Sequence, residues 1–239
     1  MKVAICFIGT GKYLNFLPKY YENIEKYFLP NTEKTFLVFT DGELDNTPEN
    51  IITYYQEHLE WPFITLGRFE IIKKAKDEIE KNNWFVFIDA DALVVNEIKE
   101  EDFFNKDKSF FGVHHPCHFL QMPPHNKFPG AFETNRLSRA CVSQDDDISV
   151  YYQGCLWGGK VPEVLKLIAE LDDRTKEDFE NNIIAVWHDE SHLNKFFIEN
   201  KEKVHTLGPE FAYPEVFENY CTFEKKIVHL AKDNSKYHV

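Results

Sequence analysis

Asp89 and Asp91, two carboxylates separated by one alanine, are the residues of this sequence best placed to do chemistry. They directly follow Trp84–Ile88, a continuous run of β-branched and aromatic residues that predicts a strand buried on both faces of a mainly parallel sheet. In open α/β sheets, ligands bind outside the carboxyl ends of the strands. Two acids this close favour a shared proton or a bound cation, and oxygen ligands suit Mg²⁺ or Mn²⁺. The alternative is an ordinary turn after a strand, because Asp is a common turn residue.

A second group of acids lies in a segment that predicts a helix and contains His188, Asp189, Glu190 and His192. Two histidines four residues apart bind zinc in HExxH peptidases, but that motif needs Glu directly after the first histidine. Here Asp189 comes first, which disfavours a metallopeptidase. Two interpretations remain open. Either the acids lie near the positive end of a helix dipole, or a carboxylate faces the same crevice as Asp89 and Asp91.

Two further motifs could bind ligands. The segment 114–118 contains three histidines in five residues, but their spacing matches no established metal site, so a loop that lines a substrate site is favoured. Near the N-terminus, residues 9–12 read Gly-Thr-Gly-Lys and lack the third glycine of the dinucleotide fingerprint. Their lysine also comes too early for a phosphate-binding P-loop, so this segment predicts a tight turn.

The hydrophobic pattern predicts alternating strands and helices. Strands are expected over residues 2–8, 35–39, 51–55, 84–88 and 110–113. Helices are expected over residues 14–28, 68–81, 162–171 and 183–200. This alternation is typical of an α/β fold. A long polar segment over residues 121–148 predicts a functional loop or disorder.

Composition narrows the class of protein. The net charge of −13 argues against a general nucleic-acid or anionic-membrane binder. The five cysteines include no CxxC pair, which favours reduced thiols in a cytosolic protein. No apolar run approaches the length of a membrane-spanning helix, and no signal peptide is apparent. We therefore expect a cytoplasmic protein without stable membrane insertion, and one domain over residues 1–239.

Four motifs together resemble glycosyltransferase family 6, which includes the blood-group A and B transferases and the α-1,3-galactosyltransferase. They occur in the family's order at compatible spacings: Phe39-Thr40-Asp41, Asp89-Ala90-Asp91, the glycine-containing segment 151–159, and the segment 187–195. The resemblance implies a GT-A fold, with a single Rossmann-like mixed sheet flanked by helices. It also implies a retaining hexosyltransferase that moves galactose or N-acetylgalactosamine from a UDP-sugar donor to a glycan acceptor.

The resemblance also implies roles for individual residues. Glu190 matches the candidate nucleophile beneath the anomeric carbon. His115 and Trp187 are similar to acceptor-binding residues. Asp89 and Asp91 resemble the metal ligands. The donor-binding positions are Ile8, Thr10, Tyr13, Arg68, Asp89, Gln153, Gly154, Cys155, Asp189 and Lys232.

Departures from the family refine these expectations. Bacterial members are thought to replace both metal-binding Asp residues by Asn, whereas Asp89 and Asp91 are retained here, so Mn²⁺ or Mg²⁺ is expected. The animal anchor and stem are absent, which suits a bacterial- or phage-type member. Gln153 and Cys155 stand where donor choice is tuned, and Cys155 is bulkier than glycine, which favours galactose. Pro214 falls where an acidic acceptor contact is expected, and the tail lacks the usual arginine.

Several alternatives stay open. The same fold could use UDP-N-acetylgalactosamine or UDP-glucose. The chain could also be a UDP-sugar- or carbohydrate-binding protein without catalysis, although the three acids Asp89, Asp91 and Glu190 argue against that. The sequence does not choose between a covalent intermediate on Glu190 and a front-face reaction.

Overall fold

The computed structural model describes residues 1–237, and of Asn234 the backbone alone. Within these residues the strands form a seven-stranded sheet, in the order β3-β2-β1-β4-β7-β6-β8, and a three-stranded sheet, in the order β5-β10-β9. The strands are β1 (Lys2–Ile8), β2 (Glu33–Thr40), β3 (Ile51–Tyr55), β4 (Trp84–Ile88), β5 (Ala92–Val94), β6 (Phe110–His114), β7 (Tyr152–Lys160), β8 (Val204–Leu207), β9 (Tyr213–Pro214) and β10 (Ile227–His229).

Helices connect these strands and cover the large sheet. The α-helices are α1 (Leu17–Tyr27), α2 (Phe63–Leu66), α3 (Arg68–Lys73), α4 (Lys76–Ile79), α5 (Glu100–Phe103), α6 (Pro116–Phe119), α7 (Val161–Glu180), α8 (His188–Glu199) and α9 (Asn234–Tyr237). Short 3₁₀ turns span Gly11–Phe16, Lys201–Lys203, Pro209–Phe211 and Glu215–Tyr220. No helix among residues 1–237 combines the length and the apolar character needed to cross a bilayer.

The large sheet is mixed, and its strand directions create the site. β1 pairs in parallel with β2 and β4, whereas β7 runs antiparallel to both β4 and β6. The carboxyl ends of β1, β2, β4 and β6 therefore meet the start of β7 at one edge of the sheet. This edge is where α/β folds bind ligands. The α/β class and the mixed sheet flanked by helices, which the sequence predicts, are confirmed.

Both faces of the central strands are buried, as their continuous apolar sequences require. In β1, Val3, Ile5 and Phe7 pack with α1 on one face, while Ala4 and Cys6 face the α3–α7 side. β4 alternates in the same way and is buried over its whole length. A rigid double-sided core thus fixes the backbone immediately before Asp89.

The predicted strands agree closely with the structure, and the helix boundaries do not. The helix expected over 68–81 is two helices, because i→i+3 hydrogen bonds tighten the chain at Lys74 and Ala75. The helix expected over 162–171 continues to Glu180, because its second half buries charged residues that a hydrophobic pattern does not detect. Asp172, for example, is buried and lies 2.6 Å from Lys73 Nζ.

The helix expected over 183–200 begins only at His188. The preceding apolar residues do not form a buried helical face, since Ile184, Val186 and Trp187 are each about half exposed. His188 has a φ of +52°, a left-handed conformation that is uncommon for a residue other than glycine. This turn sets the direction in which α8 starts, and therefore where Asp189 and Glu190 project.

Candidate active site

A cavity of about 220 Å³ lies at the edge where β1 and β4 end. It is lined by Ile8, Thr10, Tyr13, His58, Leu59, Trp61, Ile64, Thr65, Arg68, Phe87, Asp89, Ala90, Asp91, Lys232 and Tyr237. A smaller cavity of about 140 Å³ is lined by Arg68, Asp89, Gln153, Gly154, Cys155, Trp187, Asp189 and Glu190. Arg68 and Asp89 line both cavities, so the two are neighbouring parts of one cleft.

Arg68 connects the two parts of this cleft. Its Nη1 lies 2.6 Å from Asp189 Oδ2 and donates to the Gly154 carbonyl at 2.9 Å. Its Nη2 lies 3.2 Å from Asp89 Oδ1. The guanidinium also stacks over the Phe87 ring, 4.3 Å from the centroid. One buried cation therefore joins α3, the end of β4, β7 and the start of α8.

Asp189 depends on this cation. Burial raises the pKa of the Asp189 carboxyl to about 6, and the neighbouring Arg68 guanidinium opposes that rise. A buried carboxylate without a partner would be costly, whereas a close arginine offsets much of that cost. Asp189 is therefore held as the anionic partner of Arg68 near neutral pH.

Glu190, the next residue, has a different environment. Tyr151 donates its hydroxyl proton to Glu190 Oε1 at 2.6 Å, and the Gly154 N–H donates to Oε2 at 2.7 Å. A Cβ at position 154 would lie only 3.1 Å from Glu190 Cβ, so glycine permits this close approach. Burial raises the pKa of Glu190 to about 7, although both donors favour the carboxylate. The group is thus poised to change charge near neutral pH.

Backbone contacts fix the start of α8. The Trp187 N–H donates to the Ser191 hydroxyl at 2.9 Å. Asn194, which is 1% exposed, accepts from the Tyr152 N–H at 2.8 Å and donates to the carbonyls of Tyr152 and Glu190 at 2.7 and 2.9 Å. The amide of one buried asparagine therefore holds the first turn of α8 to the beginning of β7.

Asp89 and Asp91 form a possible metal site together with His229. Each offers one ligand atom, and these atoms all lie within 4.8 Å of one another. His229 Nε2 is buried and has no hydrogen-bond partner among the described residues. Two carboxylates and an imidazole fit a divalent cation such as Mn²⁺, and binding would release the proton that His229 carries beside Asp91.

Two cationic side chains currently balance Asp91. Lys232 Nζ pairs with Asp91 Oδ2, and His229 Nδ1 lies 3.7 Å from Oδ1. Burial alone would raise the pKa of Asp91, but these two neighbours hold it well below its usual range. Asp91 is therefore ionised and able to bind a cation at physiological pH.

Residues 227–237 close over this side of the cleft. β10 pairs with β5, directly after the Asp pair, and the Leu230 N–H donates to the Asp91 carbonyl at 3.0 Å. Tyr237 then packs against Tyr13 with ring centroids 5.2 Å apart. The tail thereby brings His229 and Lys232 to residues more than 130 positions earlier in the sequence.

The predicted acceptor residues lie apart from one another. Trp187 is 47% exposed and lines the smaller cavity beside Glu190. His115 lines neither cavity, as far as residues 1–237 are described. It contacts Tyr151, with ring centroids 5.7 Å apart, and Tyr151 in turn bonds to Glu190. His115 is therefore connected to the site through one buried tyrosine.

The structure brings the other predicted residues to the cleft. Ile8, Thr10, Tyr13, Asp91 and Lys232 line the larger cavity, and the segment 153–155 lines the smaller one with Asp189 and Glu190.

Sequence reasoning missed the positions of Tyr151, Asn194 and His229. Tyr151 and Asn194 lie inside segments 151–159 and 187–195, which resemble glycosyltransferase family 6, so that resemblance could have indicated them. His229 has no such signal, since only the pairing of β10 with β5 brings it to Asp91.

Comparison with known proteins finds relatives along almost the whole chain. The model of Glycosyltransferase family 6 matches residues 1–238. The O-antigen biosynthesis glycosyltransferase WbnI of Escherichia coli is 32% identical over 220 residues, which cover 91% of this chain and 90% of that protein. Histo-blood group ABO system transferase 2 of Rattus norvegicus is 25% identical over 238 residues, covering 96% and 68%. Globoside alpha-1,3-N-acetylgalactosaminyltransferase 1 of Homo sapiens is 26% identical over 224 residues, covering 90% of this chain and 62% of that protein.

The buried carboxyl of Glu190 makes folding stability depend on pH. Its pKa rises from an ordinary value of 4.5 to about 7 on folding. The folded state therefore binds the Glu190 proton more tightly than the unfolded state does. The contribution of this proton to folding stability is complete below pH 4.5 and is lost as the pH rises through 7. Glu190→Gln has no proton to lose. We expect its free energy of unfolding, relative to the parent, to increase by about 3 kcal/mol between about pH 5 and pH 8.

Urea unfolding at both pH values measures this difference. Glu101→Gln, at an exposed position on α5, is the control and should show no such change. A Glu190→Gln difference that is flat with pH would contradict the raised pKa.

Proposed function

We propose that this chain, which belongs to glycosyltransferase family 6, moves a hexose from a UDP-sugar to a hydroxyl group of a glycan acceptor. Galactose is the favoured hexose, and transfer retains the configuration of the donor sugar. One observation carries the proposal. The Arg68 guanidinium holds the Asp89 carboxylate on one side and the start of α8, with Asp189 and Glu190, on the other. Charges of both signs thus surround one cleft. We treat residues 1–239 as a single catalytic domain.

We assign the nucleotide to the larger cavity. Ile8 and Tyr13 supply apolar and aromatic surface for a base, and Thr10 and Lys232 supply polar groups. Ligand sites of this mixed composition, mostly apolar with a few convergent polar groups, are typical of cofactor and nucleotide pockets. Lys232 lies close enough to Asp91 to contact a diphosphate bound next to that carboxylate.

We propose that Asp89 and Asp91 hold a divalent cation, Mn²⁺ or Mg²⁺, and that His229 completes the set. Such a cation, when bound, neutralises charge that builds on the departing diphosphate. Lys232 adds a second positive charge from the tail, and Arg68 a third behind Asp89. The carboxylates thus promote the departure of UDP, because they bind cations next to the phosphates on which negative charge develops.

Glu190 is proposed to face the anomeric carbon of the donor sugar. An oxocarbenium-like centre is stabilised by a carboxylate, and a retaining reaction needs one either as a nucleophile or as an electrostatic partner. The hydrogen bonds from Tyr151 and Gly154 fix both oxygens of Glu190 in position. Such preorganisation supports either pathway, since the carboxylate does not have to reorient during the reaction.

Asp189 and the segment 153–155 are proposed to surround the sugar itself. Gln153 Oε1 is a buried oxygen without a hydrogen-bond partner among the described residues, which suits a contact to a sugar hydroxyl. Cys155 lines the smaller cavity and is bulkier than glycine, which favours an unsubstituted hexose. UDP-N-acetylgalactosamine is the second candidate, because the human relative is named as an N-acetylgalactosaminyltransferase.

Trp187 and His115 are proposed to contact the acceptor. The half-exposed Trp187 ring beside Glu190 offers an apolar face on which a sugar can stack. His115 would act from beyond Tyr151.

The metal assignment predicts a specific effect of Asp91→Asn. UDP release from UDP-galactose without an acceptor should be slow, require Mn²⁺ and disappear with EDTA. Asp91→Asn should lower it at least about 100-fold, because the amide removes a ligand charge. Asp173→Asn, at an exposed position on α7, is the matched control. Release that survives EDTA would instead make Asp89 and Asp91 direct donor contacts. UDP binding without turnover of any donor sugar would favour a binding protein.

The role of Glu190 predicts that binding and turnover separate. Glu190→Gln should reduce kcat about 100-fold or more, while the Kd for UDP measured by calorimetry stays within about threefold. In the parent, kcat/KM for the donor should rise with pH through about 7, because the carboxylate is the active form. Loss of UDP affinity in Glu190→Gln, or activity that is independent of pH between 5 and 8, would contradict this role.

A further inference from the structure

A second group of potential metal ligands lies outside the donor cleft. His115, Cys117 and His125 each offer one ligand atom, and these atoms lie within 4.8 Å of one another. We propose that this group binds a thiophilic divalent metal, with Zn²⁺ as the expected ion, and that the bound metal blocks transfer to the acceptor. The binding site stands independently of the proposed function, whereas the block on transfer rests on it.

The ligand types distinguish this group from Asp89, Asp91 and His229. Two imidazoles and a thiol form a nitrogen and sulfur set without a carboxylate, and this combination favours zinc over magnesium or manganese. Three protein ligands leave a fourth tetrahedral position for water. The two sites should therefore select different metals in the same protein.

The fold assembles the three residues from one short stretch of chain. His115 precedes helix α6, and its backbone N–H donates to the Tyr151 carbonyl at 2.8 Å. Its Nδ1 accepts from the Cys117 N–H at 3.1 Å, which engages the lone pair of Nδ1 and leaves Nε2 as the nitrogen for a metal. The Met122 N–H donates to the Cys117 carbonyl at 2.8 Å and turns the chain back towards the helix.

His125 then stacks on His115, with ring centroids 4.5 Å apart and an interplanar angle of 22°. His125 Nδ1 is buried and has no hydrogen-bond partner among the described residues. A buried polar nitrogen without a partner is costly, and a metal ion would remove that cost. This atom is the second observation that indicates a ligand at the group.

The protonation states suit metal binding. Burial lowers the pKa of His115 to about 3 and also lowers the pKa of His125, so both rings are neutral at pH 7. Cys117 is a thiol and would release its proton to solvent as the sulfur–metal bond forms. Binding should therefore strengthen as the pH rises.

Occupation of this group would affect the proposed acceptor side and, through Tyr151, Glu190, but not the nucleotide cavity. His115 would bind the metal instead of the acceptor. Both imidazoles lie against Tyr151, with ring centroids 5.7 and 5.3 Å from it, and Tyr151 holds Glu190. The nucleotide cavity contains none of the three ligands. Zn²⁺ should therefore inhibit transfer while leaving UDP affinity unchanged.

Titration of the metal-free protein with Co²⁺ tests the site, because Co²⁺ in a thiolate site gives an intense charge-transfer absorption. We expect one such absorbing ion per chain in the parent and in Asp91→Asn. Zn²⁺ should displace it. Cys117→Ser should abolish the absorption and weaken Zn²⁺ binding at least tenfold, whereas Cys141→Ser should behave like the parent. Circular dichroism without metal verifies that each variant is folded.

An unchanged absorption or Zn²⁺ affinity in folded Cys117→Ser would overturn the site, as would the absence of thiolate absorption in the parent. His125→Gln provides a second variant, which should also weaken Zn²⁺ binding at least tenfold. The Co²⁺ absorption and Zn²⁺ affinity measurements require no catalysis, so they give a result even if no transfer activity is found.

The block on transfer is tested with Mn²⁺ kept saturating. Zn²⁺ should inhibit the parent and should not inhibit Cys117→Ser, whose activity without Zn²⁺ should match the parent. Equal inhibition of both proteins would place the inhibitory ion elsewhere and would overturn this consequence.

Discussion

The buried guanidinium of Arg68 is the interaction on which the rest of the site depends. It is 8% exposed and binds Asp89 at the end of β4, Asp189 at the start of α8 and the Gly154 carbonyl on β7. Loss of one partner from a buried ion pair typically costs about 3–5 kcal/mol, because the remaining charge is left without compensation. Replacement of Arg68 would leave two acids facing each other across the cleft. One arginine therefore lies between Asp89, which is proposed to bind the cation, and Asp189, which is proposed to face the sugar.

A second constraint is the desolvation of Glu190. Burial opposes its ionisation, yet the Tyr151 hydroxyl and the Gly154 N–H are aimed at its two oxygens. Burial thus makes Glu190 costly to ionise, while the hydrogen bonds from Tyr151 and Gly154 stabilise its carboxylate once it has ionised. The left-handed backbone of His188 immediately before these acids is another locally unfavourable feature. Such features persist where surrounding contacts, here those of Ser191 and Asn194, determine the geometry.

Local sequence patterns predict β1 to β4 and β6, because burial leaves a continuous apolar run, as in Trp84–Ile88. They do not predict β7, whose glycines interrupt such a run. They do not predict the start of α8, since Ile184 and Val186 are apolar but half exposed. The pair Arg68–Asp189 spans more than 100 residues and has no local signal, so only the family resemblance associates both residues with the donor sugar. Neither a local sequence pattern nor the family resemblance predicts the position of His229, because that position depends on a three-residue strand in the tail.

The stereochemistry of the transfer product distinguishes a retaining site from an inverting one. A buried Glu190 on the sugar-facing side of Arg68 is proposed to make transfer from a UDP-α-hexose retaining. Proton NMR of the transfer product resolves the anomeric configuration of the new glycosidic bond. We expect an α-linked product from UDP-α-galactose. A β-linked product would contradict this expectation, because inversion requires direct backside attack by the acceptor and leaves no position for Glu190 beneath the anomeric carbon.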